Sequence, residues 1–146
     1  ADLDLETLVN EVLTLIEPEA SRINVELELT RNGGPLHIRG DSDLLKQALM
    51  NVCRNALDFM PAGGDLRVGL ERRGNEAVVS IADTGPGIPP EHRDRIFQLY
   101  YSTKEKGSGI GLAMTFRAVQ LHGGSIEVES EPGAGALFRL RLPVAA

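Results

Sequence analysis

Residues 76–83, EAVVSIAD, are apolar on both alternating sets of positions: Ala77, Val79 and Ile81 on one, Val78 and Ala82 on the other. A strand with two apolar faces has to lie inside a sheet, with neighbours along its edges and cover over its faces. Gly74-Asn75 joins it to DLRVGLERR (65–73), which predicts an antiparallel pair around a two-residue turn. SIEVES (125–130) and ALFRLRLP (136–143) alternate strictly around the turn EPGAG and predict a closing hairpin. INVELEL (23–29) alternates too, and with NGG as the turn and PLHIRG (35–40) as a short partner it predicts one more hairpin.

Helical spacing fills the gaps between these strands. Leu5, Leu8, Val9, Val12, Leu13 and Ile16 recur at three and four residues, with Asp4 placed to cap and Pro18 to stop a helix of about three turns. Asp41 and Asp43 precede LLKQALMNVCRNALDFM (44–60), about four turns, which Pro61 and Ala62-Gly63-Gly64 close. GIGLAMTFRAVQLH (109–122) resumes the period through Leu112, Phe116, Val119 and Gln120, and Gly123-Gly124 ends it. Residues 85–109 mix Pro, Gly and charge, with one short helix expected around Glu91–Leu99; a connection this long in a compact domain is usually a functional lid. The order helix, hairpin, helix, hairpin, lid, helix, hairpin lacks strand–helix–strand alternation. It predicts an α+β fold with helices on one face of a mixed, mostly antiparallel sheet.

The 146 residues fit one domain, and the 42% apolar, 25% charged composition is that of a soluble globule without an apolar run of the ~18 residues a membrane helix needs. Neither end carries a secretory pattern, and Cys53, the lone cysteine, can form neither an internal disulfide nor a multi-cysteine metal site, so a reducing cytoplasm is the expected setting. A net charge of −6 argues against a surface for duplex nucleic acid. The pattern is already running at Ala1, which leads us to expect residues 1–146 to be a domain cut from a longer protein.

Asn51 and Asn55 share a face of the second predicted helix, one turn apart. Asparagine is a poor helix former because its amide competes for backbone hydrogen bonds, so the pair stands either on a solvated face or where amide oxygens serve a hard cation such as magnesium. Asp83 ends the apolar strand, and Gly85 and Gly87 behind it would let backbone approach a flat ligand; a buried carboxylate there wants a donor such as an exocyclic amine. GSGIGL (107–112) puts three glycines where a loop enters a helix, which suits either a hinge or a cradle for phosphate. A dinucleotide fingerprint is excluded, since the third glycine comes too early and no strand immediately precedes the loop. Lys104 and Lys106 in STKEK are either lid lysines in solvent or mobile charges for a phosphate.

Taken in order, the N-x-x-x-N-A helix, D-x-G-x-G after a strand, FQLYYSTK, G-x-G-x-G-L opening a helix, and GAGALF before the last strand resemble the catalytic and ATP-binding domain of two-component sensor histidine kinases. The resemblance runs from about Leu5 to Pro143 and is closest in style to the nitrogen-regulation and oxygen-sensing kinases. It implies the Bergerat fold, a two-layer α/β sandwich with a five-stranded sheet, about three helices on one face, and an ATP lid over about residues 86–108. It implies that Asn55 holds the magnesium bridging the ATP phosphates, that Asn51 lines the same pocket, and that Asp83 accepts from the adenine amine. Gly85 and Gly87 would give the base room, Phe59 and Ile88 would wall its slot, and Gly107, Ser108, Gly109, Ile110, Gly111 and Leu112 would wrap the phosphates. Phe97 and Tyr100 would anchor the lid, with Thr103 and Lys104 following, and Asn51, Asn55 and Lys104 would serve the transfer.

Two positions depart from the family pattern. Asp58 stands where many members have Lys or Arg, shifting phosphate binding onto Lys104 or an arginine such as Arg93 or Arg95. Ala136 stands where the last glycine turn usually leads into threonine, removing a hydroxyl that helps read adenine. ATP-hydrolysing relatives of this fold, such as gyrase and mismatch-repair ATPases, carry a glutamate at the position of Asn51, whose amide takes no proton at neutral pH; hydrolysis is therefore disfavoured. Neither His37, His92 nor His122 has the expected phosphoacceptor context, and His122 reads as a helix C-terminal cation or cap. The resemblance thus implies transfer of the γ-phosphoryl to a histidine on a separate dimerisation and phosphotransfer domain of the same parent, then to a response regulator, from a domain monomeric alone within a homodimeric parent. It implies no nucleic acid and no direct membrane contact. The alternatives are a degenerate nucleotide-binding or interaction module and a serine kinase of the anti-sigma-factor kind.

Overall fold

The computed structural model describes residues 2–32, 36–58, 60, 63–84, 110–130 and 135–145. Along the chain these form β1 (Asp2–Asp4), α1 (Leu5–Arg22), β2 (Val25–Asn32), β3 (His37–Arg39), α2 (Ser42–Asp58), β4 (Gly64–Arg73), β5 (Glu76–Asp83), α3 (Ile110–Leu121), β6 (Ser125–Ser130) and β7 (Ala136–Pro143).

Five strands make one sheet in the order β2-β4-β5-β7-β6, so the doubly apolar β5 is the middle strand. β4 and β5 pair antiparallel from Leu66↔Asp83 to Arg73↔Glu76 around Gly74, whose φ of 60° suits the tight turn. β5 pairs antiparallel with β7, and β7 with β6, as the closing hairpin requires. Leu66, Val68 and Leu70 of β4, Ala77, Val79 and Ile81 of β5, and Phe138, Leu140 and Leu142 of β7 face the helices and form one core with them. The opposite face explains the other half of the alternation: Arg139 reaches Glu129 at 2.6 Å and Arg141 reaches Glu127 at 2.8 Å, diagonal pairs across the β6–β7 ladder.

Three sequence expectations need correction. The hairpin of β2 with β3 does not form: β2 pairs with β4 in parallel, and β3 pairs antiparallel with β1 in a separate two-stranded sheet. β2 buries its apolar face under α1, and the chain crosses through α2 before returning as β4, the long connection that parallel pairing needs. Second, Pro18 does not end the first helix, which runs 18 residues to Arg22. Asp4 caps it by accepting from the Glu6 and Thr7 backbone N–H groups at 3.0 and 3.4 Å, and the buried stripe Leu5, Leu8, Val9, Val12, Ile16 and Ala20 continues past Pro18, offsetting the one backbone hydrogen bond a proline forfeits. Asn24, at φ 61°, turns the chain into β2 two residues later than expected. Third, α3 does not bury Phe116 or Gln120; its inward residues are Thr115, Ala118 and Val119. A hydroxyl on the buried face breaks the hydrophobic period there, and its hydrogen bond to the Ala48 carbonyl of α2, at 3.1 Å, explains why it is tolerated.

Cys53 lies on the core face of α2 at 2% exposure, and burial pushes its thiol up to about 12. Because the folded value exceeds the unfolded one, the folded state holds this proton more tightly, and the contribution is present below the unfolded pKa and fades as pH rises toward the folded one. Urea denaturation between pH 9 and 12 should therefore show stability falling with alkalinity, and Cys53→Ala should flatten that part of the profile. Thiol labelling of the native protein at pH 8 should be slow and should accelerate at the unfolding midpoint.

Candidate nucleotide site

Asp83 closes β5, a strand whose other residues after Glu76 are apolar except Ser80, and it is itself buried, at 7% exposure. A carboxylate so placed needs donors, and the Ala136 N–H at the start of β7 gives one to Oδ1 at 3.2 Å. Gly135 makes this approach possible: at φ 87°, a Cβ added there would stand 2.1 Å from the Asp83 carbonyl oxygen. On the other side, Asp65 N–H of β4 donates to Thr84 Oγ1 at 3.0 Å. The end of β5 is thus held between β4 and β7, as far as Thr84.

The asparagines reach the same end of the molecule on α2. Asp41 caps that helix by accepting from the Asp43 and Leu44 backbone N–H groups at 3.0 and 3.1 Å. Leu45, Ala48, Leu49, Val52, Cys53, Ala56 and Leu57 give it a broad buried face, and Asn51 and Asn55 are half-buried at its margin. The helix ends at Asp58, slightly earlier than expected, and Met60 N–H closes a turn onto Leu57 O at 3.0 Å. Gly63 N–H bonds to Met60 O at 3.0 Å and Gly64 N–H to Asn24 O at 3.3 Å, which leads the chain from α2 directly into the β4 end that faces Asp83.

Asn55 carries the clearest mark of a ligand. Its Nδ2 is buried and has no hydrogen-bond partner among the described residues. An orphaned amide in a folded interior costs about 1–3 kcal/mol, a penalty that calls for an explanation. Turning the amide exchanges its two ends, so the site can present N–H groups to a phosphate oxygen or a carbonyl oxygen to a hard cation. Asn55 therefore fits a magnesium-bound phosphate group.

α3 packs against α2 in the opposite direction. Thr115 meets Ala48, and His122, seven residues on along α3, meets Asp41, seven residues back along α2. The Asp41 N–H donates to His122 Nε2 at 3.0 Å, which fixes the ring proton on Nδ1, where it is donated to the Ala118 carbonyl at 2.7 Å. His122 is the expected cap of α3, with both ring nitrogens used, and Gly40 leaves it room: a Cβ there would lie 2.2 Å from the ring. This antiparallel register carries the first turn of α3, formed by Ile110, Gly111 and Leu112, to the level of the Asn51–Asn55 turns. A helix N-terminus, with its unpaired N–H groups and positive dipole end, is thereby directed at the place where Asn55 wants an acceptor.

Of the sequence-derived site residues, the structure thus describes Asn51, Asn55, Asp83 and the backbone of Ile110, Gly111 and Leu112; Phe59, Gly85, Gly87, Ile88, Tyr100, Thr103, Lys104, Gly107, Ser108 and Gly109 lie outside the described residues, as do His92, Arg93, Arg95, Phe97 and Lys106. Sequence reasoning missed Met60, Gly64 and Thr84, which join the two halves of the site. Gly64 was legible only as part of a helix stop, and no pattern announces a methionine sulfur as a partner for a hydroxyl.

Residues 40–146 match the family model described as histidine kinase-, DNA gyrase B-, and HSP90-like ATPase. The chain is 38% identical over 143 residues to Sporulation kinase D of Bacillus subtilis, covering 97% of this chain and 28% of that protein. It therefore spans less than a third of that relative's length. The nucleotide-free catalytic domain of histidine kinase ThkA superposes with a TM-score of 0.89 at 28% identity, covering 98% of this chain and 96% of that one. Full-length ShkA in complex with AMPPNP superposes with a TM-score of 0.90 at 33% identity, covering all 100% of this chain and 31% of that one.

Gly135→Ala tests the clamp on Asp83. Gly74→Ala, where a Cβ meets nothing within 4 Å, should cost only the price of left-handed backbone, about 1–2 kcal/mol. Gly135→Ala should cost clearly more in urea denaturation, because its Cβ also displaces the Asp83 carbonyl; equal costs would show that the close approach is unimportant.

Proposed function

The chain belongs to the family of histidine kinase-, DNA gyrase B- and HSP90-like ATPases, as a catalytic domain of the sensor histidine kinase kind, and from that premise we propose that it binds ATP with magnesium and donates the γ-phosphoryl to a histidine on a separate phosphoacceptor domain. The observation that carries this reading is the buried Nδ2 of Asn55, without a hydrogen-bond partner among the described residues, together with the carboxylate of Asp83 held at the end of β5.

Asp83 reads the base. A carboxylate is acceptor-only, so it favours the exocyclic amine of adenine over the carbonyl that guanine presents at that position. Its orientation is set by the Ala136 main chain, so the carboxylate stays aimed although the family's threonine is absent. Asn55 would hold the magnesium through its amide oxygen, with Asn51 one turn away on the same helix and the α3 N-terminus available to the phosphates; when bound, the ion would neutralise charge on the triphosphate. The similarity to full-length ShkA, whose crystal structure is a complex with AMPPNP, supports a nucleotide as the ligand. Gly107, Ser108 and Gly109 extend the phosphate cradle, Phe59, Gly85, Gly87 and Ile88 form the base slot, and Tyr100, Thr103 and Lys104 act from the lid.

The amide of Asn51 cannot accept a proton from water at neutral pH, which favours transfer over hydrolysis. Phosphoryl transfer needs positioning and charge neutralisation more than a base, and an imidazole brings its own nucleophilic nitrogen. Among the described histidines, His122 is committed to Asp41 and Ala118 and His37 lies in β3; the acceptor in this reading is a histidine on another domain of a parent kinase that acts as a dimer on a response regulator. No helix of the described residues is long and apolar enough to cross a membrane, and use of ATP suits a cytoplasmic position.

Calorimetric titration with magnesium should show ATP and ADP binding and GTP binding at least tenfold weaker. Asp83→Asn, which introduces a donor, should narrow that preference by roughly the 1–3 kcal/mol of a mismatched buried hydrogen bond. Joined to dimerisation and phosphotransfer helices, the domain should autophosphorylate, and Asn55→Asp or Gly109→Ala should reduce the rate. Rapid ATP hydrolysis by the isolated domain, or undiminished transfer in both variants, would overturn the reading.

A further inference from the structure

We propose that Thr84 is a positioning residue for nucleotide recognition, whose hydroxyl ties the Asp83 strand end to the turn that follows the Asn55 helix. The role rests on the nucleotide reading of the site. Regular pairing of β4 with β5 ends at Leu66↔Asp83. One step on, the ladder would continue through the Thr84 backbone, but the Asp65 N–H is taken by Thr84 Oγ1 instead, at 3.0 Å. The side chain thus satisfies the donor one step beyond the end of the β4–β5 ladder, in place of the Thr84 backbone. The same hydroxyl donates to Met60 Sδ at 3.6 Å, and Met60 is itself bonded to Leu57 in the last turn of α2. One O–H group, used as both donor and acceptor, therefore connects β4, β5 and α2.

The surrounding backbone is shaped for this contact. Gly64 has φ 149°, and a Cβ there would lie 2.5 Å from Thr84 Oγ1 and 2.8 Å from Met60 Sδ. Met60 is buried at 2% exposure, so its sulfur is a fixed acceptor rather than a mobile one. Asp83 and Asn55 have to hold the two ends of one nucleotide at a set separation, and small displacements of a positioned group are costly in recognition. The hydroxyl, joined to both β4 and Met60, fixes that separation.

The test compares Thr84→Val, which keeps the shape and removes the hydroxyl, with Thr84→Ser, which restores it. With magnesium present, Thr84→Val should weaken ATP binding about tenfold and narrow the ATP-over-GTP ratio, while Thr84→Ser should stay within about twofold of the parent on both measures. Met60→Leu, which keeps the volume and removes the sulfur, should shift ATP affinity in the same direction by a smaller factor. Thermal melting of all three should stay close to the parent. Unchanged ATP affinity and base preference in Thr84→Val, or a serine variant as weak as the valine one, would overturn the role while leaving the nucleotide reading intact. A parent domain that binds no ATP would instead overturn the nucleotide reading, and this role with it.

Discussion

The hydrogen bond from the Ala136 N–H to the buried carboxylate of Asp83 is the contact on which the site depends. A carboxylate at 7% exposure is tolerated only if its oxygens are satisfied, and the middle of a five-stranded sheet offers few donors, because its backbone groups are spent on the ladder. The donor becomes available because β7 begins beside the end of β5, after a glycine that lets the two backbones nearly touch. Burial, strand order and a left-handed Gly135 thus converge on one side chain. A base-reading group needs that rigidity, since a carboxylate free to rotate would accept a donor from almost any direction.

Of the three helices over the sheet, α2 and α3 dock antiparallel, and that docking sets the geometry of the end proposed to hold phosphate. The fastening lies far from that end: His122 and Gly40 join the tail of α3 to the cap of α2, and the buried Thr115 hydroxyl sets the register halfway. A helix rotated or slipped by one residue would lose the Ala48 hydrogen bond and bury a hydroxyl without a partner, which costs more than most single apolar contacts gain. Polar contacts within the helix layer therefore specify what hydrophobic burial alone would leave loose, namely the level at which the α3 N-terminus meets Asn51 and Asn55.

Much of this was legible in the sequence, for reasons that differ by element. The two faces of EAVVSIAD and the strict alternation of ALFRLRLP gave β5, β7 and β6 because pairing and burial write directly into a period of two. The partner of PLHIRG was misread because a three-residue strand carries one inward side chain, Ile38, and proximity along the chain made β2 look nearer than β1. Pro18 misled for a related reason: a stop signal is local, whereas the burial of Ile16 and Ala20 that carries α1 past it is tertiary. Asn51, Asn55 and Asp83 could be chosen from their setting on a helix and a strand end. Thr84, Met60 and Gly64 could not, since their value lies in a contact between a loop and a strand end 24 residues apart.

The two departures from the family pattern bear on affinity in different ways. At position 136 the main chain, not the side chain, holds Asp83, so replacing threonine by alanine removes a hydroxyl near the base without loosening the carboxylate. On the proposed reading, discrimination between adenine and guanine would then be retained while overall affinity would fall, because a shared loss of one solvent-bridged contact is felt by both bases and a misaimed acceptor would be felt mainly by one. Asp58, the last residue of α2, puts a negative charge where many members carry a positive one, and on the proposed reading it would oppose every triphosphate alike. On that reading both changes would lower affinity and leave selectivity in place, and weak but base-selective binding would suit a transfer step that waits on the arrival of a separate histidine.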